Sequence, residues 1–447
     1  MPQSAKQTKL IDMVLCFSRA LDLLHEQISD HHLLVANIGV QIAEAAGFDE
    51  AGRSDVLIGG ALHDVGVVSV DSRLALSDFS LTTYRSGSDQ PPQSIHHHGY
   101  EGWRLLQGFA PFARAAEGIR YHHVNWQEGI GTHFYGKPVP LASHVIHLAD
   151  RIAVLPSPDT PILAQRERIV STIRAAAGSI FHPDLVEAFA DLSCRDAFWF
   201  DLVYPHQESL LRTRARGMRH PLDIDQLQEL AVVFGRIIDF RSPFTATHST
   251  GVATSASSIA GLMGIGSDEI KLINIAGHLH DLGKLAVPPS ILDKPGPLAP
   301  DEASVMRSHA YHTYRILEMV PGMETINAWA AFHHERVGGG GYPFMPATLP
   351  LQARIIAVAD VFTALSEDRP YRFGMSRPEV VAILRREVAQ GALDGDVVAT
   401  VLDNFDVLDQ LRHVAQHAPP RNGTLADRCW QDEAWGQDRF SRKEGVA

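Results

Sequence analysis

Seven metal-capable residues occur twice in this chain, in the same order, and no other feature constrains its fold as strongly. His31, His63-Asp64, His98, His122-His123 and Asp150 are echoed by His248, His280-Asp281, His309, His333-His334 and Asp360. His31 to His63 and His248 to His280 are each 32 residues apart, and His98 to His122 and His309 to His333 are each 24 apart. Equal spacing implies equal geometry. Imidazoles and carboxylates at set positions suit a borderline transition metal, and a shared carboxylate lets one site hold two ions. A lone histidine on an apolar helix is more often a satisfied core residue than a ligand, but an ordered set with adjacent His-Asp and His-His pairs is most simply explained by a shared site.

Self-similarity extends beyond the histidines. LIGGALHDVGVVSV (57–70) mirrors NIAGHLHDLGKLAV (274–287), HGYEGWRLL mirrors HAYHTYRIL, and VPLASHVIHLADRI mirrors LPLQARIIAVADVF. The periodic segments read as helices. In SDEIKLINIAGHLHDLGK, Ser267 is the expected N-cap, Ile270, Ile273 and Ala276 form an apolar stripe, and Gly283 is the expected stop, which puts His280 and Asp281 at the helix's last turn. Strand signals are sparse. The reading is all-α, two helical bundles in tandem: a first domain over 1–193, a linker over 194–228 with an Arg-rich stretch, a second domain over 229–408 and a tail over 409–447. The first copy carries an expected loop insertion over 71–92.

Composition sets the outer bounds. With 45% hydrophobic and 20% charged residues the chain reads as an ordinary globular protein. A net charge of −13 argues against a DNA- or RNA-polymer surface while leaving room for a local phosphate pocket. Three scattered cysteines fit a reducing compartment, and neither a signal peptide nor a long apolar run is visible, so a cytoplasmic, non-membrane protein is expected.

Residues 244–372 resemble the HD-GYP family of the HD phosphohydrolase superfamily. The carrying motifs are THS (247–249), HDLGK (280–284), HHER followed by GGGGYP (333–343), ADVFTAL (359–365) and RPYR (369–372). The resemblance implies HD-type bundles and metal-dependent hydrolysis of a cyclic dinucleotide: cyclic di-GMP to pGpG, with GMP as a further product, or 3′,3′-cyclic GMP-AMP. It implies two divalent ions, Fe or Mn: one held by His248, His280, Asp281 and Asp360, the other by His309, His333 and His334, with Asp281 bridging. Lys284 would act beside Asp281 in catalysis, Arg369 and Arg372 would hold substrate phosphate, and Tyr342 would line the site. Family habit implies a homodimer.

The chain departs from the family in two places. Phe244 stands where some members have a glutamate ligand to a third metal, so two metals are expected. Gly338, Gly339, Gly340 and Gly341 replace the usual Asp-Gly-Ser-Gly, so a floppy loop is expected. The first copy keeps the metal pattern but has Val67 for Lys284 and lacks both GYP and RPYR, which points to a structural, dimer-forming or sensing role, with inherited remnants in a metal-free bundle as the open alternative. Two other functions stay open: a non-catalytic cyclic dinucleotide sensor acting through partners, and a di-iron oxygenase.

Overall fold

The computed structural model describes residues 8–23, 30–67, 93–215, 220–241, 247–294, 296–368 and 373–418. Among these residues there are twenty α-helices and one short hairpin, β1 (His133–Phe134) with β2 (Lys137–Pro138). The all-α expectation holds.

In the first repeat α1 (Leu10–Asp22) precedes the metal pattern, which α2 (His31–Ala45), α3 (Glu50–Leu62), α4 (Gln93–Leu106), α5 (Ala113–Arg120) and α6 (Leu141–Val154) carry on themselves or on the turns after them, and α7 (Ile162–Arg174) and α8 (Pro183–Leu192) complete the bundle. Two short helices follow, α9 (Asp196–Leu202) and α10 (Gln207–Arg214). The second repeat begins with α11 (Ile224–Phe240), α12 (His248–Leu262), α13 (Ser267–Leu279), α14 (Pro289–Leu292), α15 (Pro300–Leu317), α16 (Glu324–Ala331) and α17 (Leu351–Ser366). It ends with α18 (Arg377–Ala389), α19 (Gly395–Asp403) and α20 (Phe405–His417).

Local chemistry starts many of these helices. Asp49 accepts from Gly52 N ahead of α3, Asp223 and Gln226 form a capping box on α11, and Asp394 accepts from Asp396 N and Val397 N on α19. Helix α13 starts one residue earlier than its sequence suggests. Ser267 is already helical, and Gly266, with extended backbone, takes the cap position without a side-chain bond. Gly283 is also not the helix stop, because His280 already caps α13 and Gly283 sits inside a 3-10 turn, Leu282–Ala286. Its role is close packing: a Cβ there would fall 1.9 Å from His309 O, and one at the equivalent Gly66 would fall 2.1 Å from His98 O. The missing side chain lets the helix bearing the third histidine lie directly on the His-Asp turn.

The stretch expected as a linker is mostly helical and packed. Phe198, Trp199 and Leu202 of α9 are buried with the α6–α8 core, and Trp199 Nε1 donates to Ser193 O at 2.9 Å. The two arginines of its Arg-rich stretch that lie among the described residues are paired within the fold: Arg212 with Asp12 and Glu208, Arg214 with Asp201 at 2.6 Å and with Asn37 at 2.8 Å. Helix α11 begins before residue 229, and α20 continues the packed structure to residue 417, well into the stretch expected as a tail.

The repeats share one apolar core. Phe17 of α1 stacks on Phe234 of α11, with centroids 4.0 Å apart, and these two residues are related by the same offset that relates His31 to His248. Leu10 N donates to His220 O and Leu222 N to Thr8 O, so the entries to α1 and α11 pair antiparallel. Helix α1 reaches across to the second repeat, where Cys16 Sγ lies 3.3 Å from Ile316 O. No described helix is long and apolar enough to cross a membrane.

Candidate metal centre

Five segments bring the second set together. His248 is the first residue of α12, His280 and Asp281 close α13, and His309 sits within α15. His333 and His334 follow α16, and Asp360 lies midway along α17. All seven predicted ligands converge. Ligand atoms of His248, His280 and Asp281 lie within 4.8 Å of one another, as do those of His280, His333 and Asp360, and those of His309, His333 and His334.

Asp281 stands at the centre. Its Oδ2 lies 3.2 Å from His280 Nε2 and 2.5 Å from Lys284 Nζ. Its Oδ1 faces the other way, 3.5 Å from His309 Nε2 and 4.0 Å from His333 Nε2. One carboxylate therefore addresses both ligand groups with different oxygens. Asp360 Oδ1 lies 3.1 Å from His248 Nε2 and 4.0 Å from His280 Nε2.

Imidazole orientation shows that these residues suit a cation. Nδ1 of His280, His309 and His333 lies 2.8, 2.7 and 2.6 Å from the carbonyls of Gly277, Met306 and Ala330. Donation there leaves each Nε2 as a lone pair turned into the cluster. His280 Nε2 is buried with no hydrogen-bond partner, beside a carboxylate oxygen. Two acceptors in that position repel unless a cation lies between them.

The charges agree. Burial works against the charge on Asp281, yet His280, Lys284 and His309 hold it well below the usual carboxylate range. Burial likewise opposes ionisation of Asp360, and the His248 hydrogen bond with nearby His280 outweighs it, holding that carboxyl low. Burial pushes His309 down to about 3 and takes His333 well below its ordinary value, so both are neutral imidazoles, the form a metal ion requires. Burial would discharge Lys284, but Asp281 and Asp360 overcome it and raise the ammonium.

The site has an open side. His248, His280, Asp281, His309 and His333 are buried, while Lys284, His334, Tyr342 and Asp360 are partly exposed. Tyr342 stacks on His334 with centroids 4.9 Å apart, and Arg307 lies over the Tyr342 ring at 4.4 Å. Burial, opposed by Arg307, pushes the Tyr342 phenol up to about 12. The glycine loop before it is built rather than floppy. Gly339 and Gly340 have φ of +84° and +77°, and a Cβ on Gly341 would fall 2.5 Å from Arg336 N. Glu335 Oε1 anchors the loop's far side by accepting from Phe344 N at 2.7 Å and Met345 N at 3.1 Å. Phe244, Arg369 and Arg372 lie outside the described residues.

Several residues that matter here were not singled out in the sequence. Glu367 lies 3.1 Å from His248 Nδ1, completing a carboxylate–histidine pair behind a candidate ligand. Gln416 Nε2 donates to Glu367 Oε2 and to Thr247 O, both at 3.1 Å, and Arg412 bonds Gln416 and the Ser366 carbonyl. Glu367 is two residues before the RPYR motif, so its neighbourhood hinted at a role. Nothing local marks Arg412 or Gln416.

A model of the HD domain matches residues 232–397, and a second HD-domain model matches residues 28–155. The chain is 32% identical to the 3′3′-cGAMP-specific phosphodiesterase 1 of Vibrio cholerae over 89% of this chain and 92% of that protein. It is 30% identical to the 3′3′-cGAMP-specific phosphodiesterase 3 of the same organism, over 76% and 75%. The cyclic di-GMP phosphodiesterase response regulator RpfG of Xanthomonas campestris is 38% identical over 33% of this chain and 40% of its own length. A crystal structure of a cyclic GMP-AMP-specific phosphodiesterase from V. cholerae superposes with a TM-score of 0.61 at 25% identity, covering 90% of this chain and 98% of that one. With two HD domains in tandem, and aligned with a cyclic dinucleotide phosphodiesterase along nearly its whole length, the chain belongs to the HD-GYP family of cyclic dinucleotide phosphodiesterases.

Proposed function

We propose that the second repeat opens 3′,3′-cyclic GMP-AMP to a linear dinucleotide at the cluster around Asp281. The observation that carries this choice of substrate is the extent of alignment. The two relatives matched along both repeats bear that specificity in their names, whereas the X. campestris cyclic di-GMP relative matches only a third of the chain.

In this reading His248, His280 and Asp360 hold one divalent ion and His309, His333 and His334 the other, with Asp281 shared. The His/Asp donor set suits Fe or Mn. Two such ions supply a water of lowered pKa and neutralise charge building on the phosphoryl oxygens. Lys284, fixed against Asp281 at the partly exposed edge, adds a positive charge where a phosphate enters. Tyr342 forms the wall beside His334, and Arg369 and Arg372 are assigned to the second phosphate from their motif, since a guanidinium fork matches phosphate oxygens. The net charge of −13 fits a small ligand met in the cytoplasm rather than a nucleic-acid polymer.

The test is kcat/KM for 3′,3′-cyclic GMP-AMP and cyclic di-GMP with Fe- or Mn-loaded protein. Faster turnover of the hybrid dinucleotide is expected. Equal or faster turnover of cyclic di-GMP would overturn the substrate assignment, and tight binding of either without cleavage would make the protein a sensor.

A further inference from the structure

The first repeat assembles its own cluster. His98 Nε2 lies 3.1 Å from His122 Nε2 and 3.2 Å from His123 Nε2. Asp64 Oδ1 lies 3.4 Å from His98 Nε2 and 4.0 Å from His122 Nε2. All four residues are more than nine-tenths buried, and the three imidazoles have ligand atoms within 4.8 Å of one another. His122 Nδ1 lies 2.6 Å from Ile119 O, and donation there leaves its Nε2 as a lone pair. His98 Nε2, even carrying a hydrogen, can satisfy one of its two imidazole neighbours at a time. Converging nitrogens beside a carboxylate, closed off from water, are costly as hydrogen-bonded groups alone and fit a cation well.

The other half of this cluster differs from its counterpart. Asp150 Oδ1 faces His31 at 3.3 Å and His63 at 3.9 Å, but its Oδ2 is held by Arg151 through Nη2 at 2.6 Å and Nε at 3.1 Å. The second repeat has Val361 at that place. Arg151 therefore supplies, on the His31–His63 side, the positive charge that a second ion would bring. The cluster is also closed. Val67, His123 and Asp150 are buried, whereas the corresponding Lys284, His334 and Asp360 are partly exposed. Closed sites without an accessible coordination position are structural rather than catalytic.

We propose that the first repeat holds a single divalent transition-metal ion on His98, His122, His123 and Asp64, a structural centre that ties α4 to the turns after α3 and α5. The ligands come from three segments, so one ion cross-links the bundle where the second repeat uses its ions for chemistry.

Metal analysis of the full chain carrying His280→Ala, Asp281→Ala, His309→Ala and His333→Ala tests this without touching the first cluster. One equivalent per chain should remain after exhaustive dialysis, and should fall to background when His98→Ala and His122→Ala are added. Background metal before that addition would overturn the proposal, and two equivalents would overturn the single-ion assignment. If the quadruple variant does not fold, His98→Gln with His122→Gln in the otherwise native chain should cost one equivalent relative to native protein. Unchanged content there would overturn the proposal equally.

Discussion

Asp281 and Lys284 illustrate how one residue's surroundings set its task. Asp281 turns one oxygen to His280 and Lys284 and the other to His309 and His333, so its two oxygens serve two ligand groups while Lys284 stays free of the imidazoles. Because Lys284 is partly exposed and raised by Asp281 and Asp360, it carries its charge at the site's edge throughout the neutral range. Lys284→Ala should therefore lower kcat by about 10²-fold with bound metal unchanged. Loss of metal with loss of rate would instead assign the lysine to holding Asp281. That the candidate ligands form an ordered set was legible in the sequence, since each His-Asp or His-His pair recurs at the same spacing. Glu367 was not, because its partner His248 is 119 residues away and only the packing of α12 against the end of α17 brings them together.

At the scale of elements, the metal pattern of the second repeat joins helix ends and turns, bearing His248, His280-Asp281 and His333-His334, to mid-helix positions at His309 and Asp360 by close packing. The His-Asp turn can lie on α15 because Gly283 has no side chain to meet His309 O, a reason for the glycine that helix-stop chemistry does not supply. The GGGG run follows the same logic: left-handed backbone at Gly339 and Gly340 and tight packing at Gly341 shape the approach to Tyr342. Composition alone reads such a run as loose. Helix α20 is the element whose role the sequence hid most, since its contribution is made through Arg412 and Gln416, buried polar residues on an otherwise ordinary amphipathic pattern. A chain ending at residue 408 loses both and leaves Glu367 without Gln416 behind His248. Its metal affinity should fall by about 10–100-fold relative to a chain ending at residue 418, measured by competition with a chelator. Equal affinities would show that α20 does not brace the centre.

Across the whole molecule, two copies of one pattern have been packed face to face and have diverged in opposite directions. The stacked Phe17 and Phe234 and the antiparallel pairing of residues 8–10 with 220–222 mark the relation between the halves. The second half keeps Lys284, a tyrosine wall and partly exposed His334 and Asp360; the first has Val67, Arg151 on Asp150 and buried His123 and Asp150. Duplication was plain from the repeated spacings, and so was the all-α architecture. The shared core was not, because contacts between the repeats use the same apolar residues that any helix face needs. Chemistry confined to the second half is the central claim, and hydrolysis of 3′,3′-cyclic GMP-AMP by the anaerobically purified, Fe- or Mn-loaded full chain beside its Asp281→Ala variant tests it most directly. Linear dinucleotide should form with the native chain and fall at least about 10³-fold with the variant; comparable product from both would place the reaction elsewhere in the molecule.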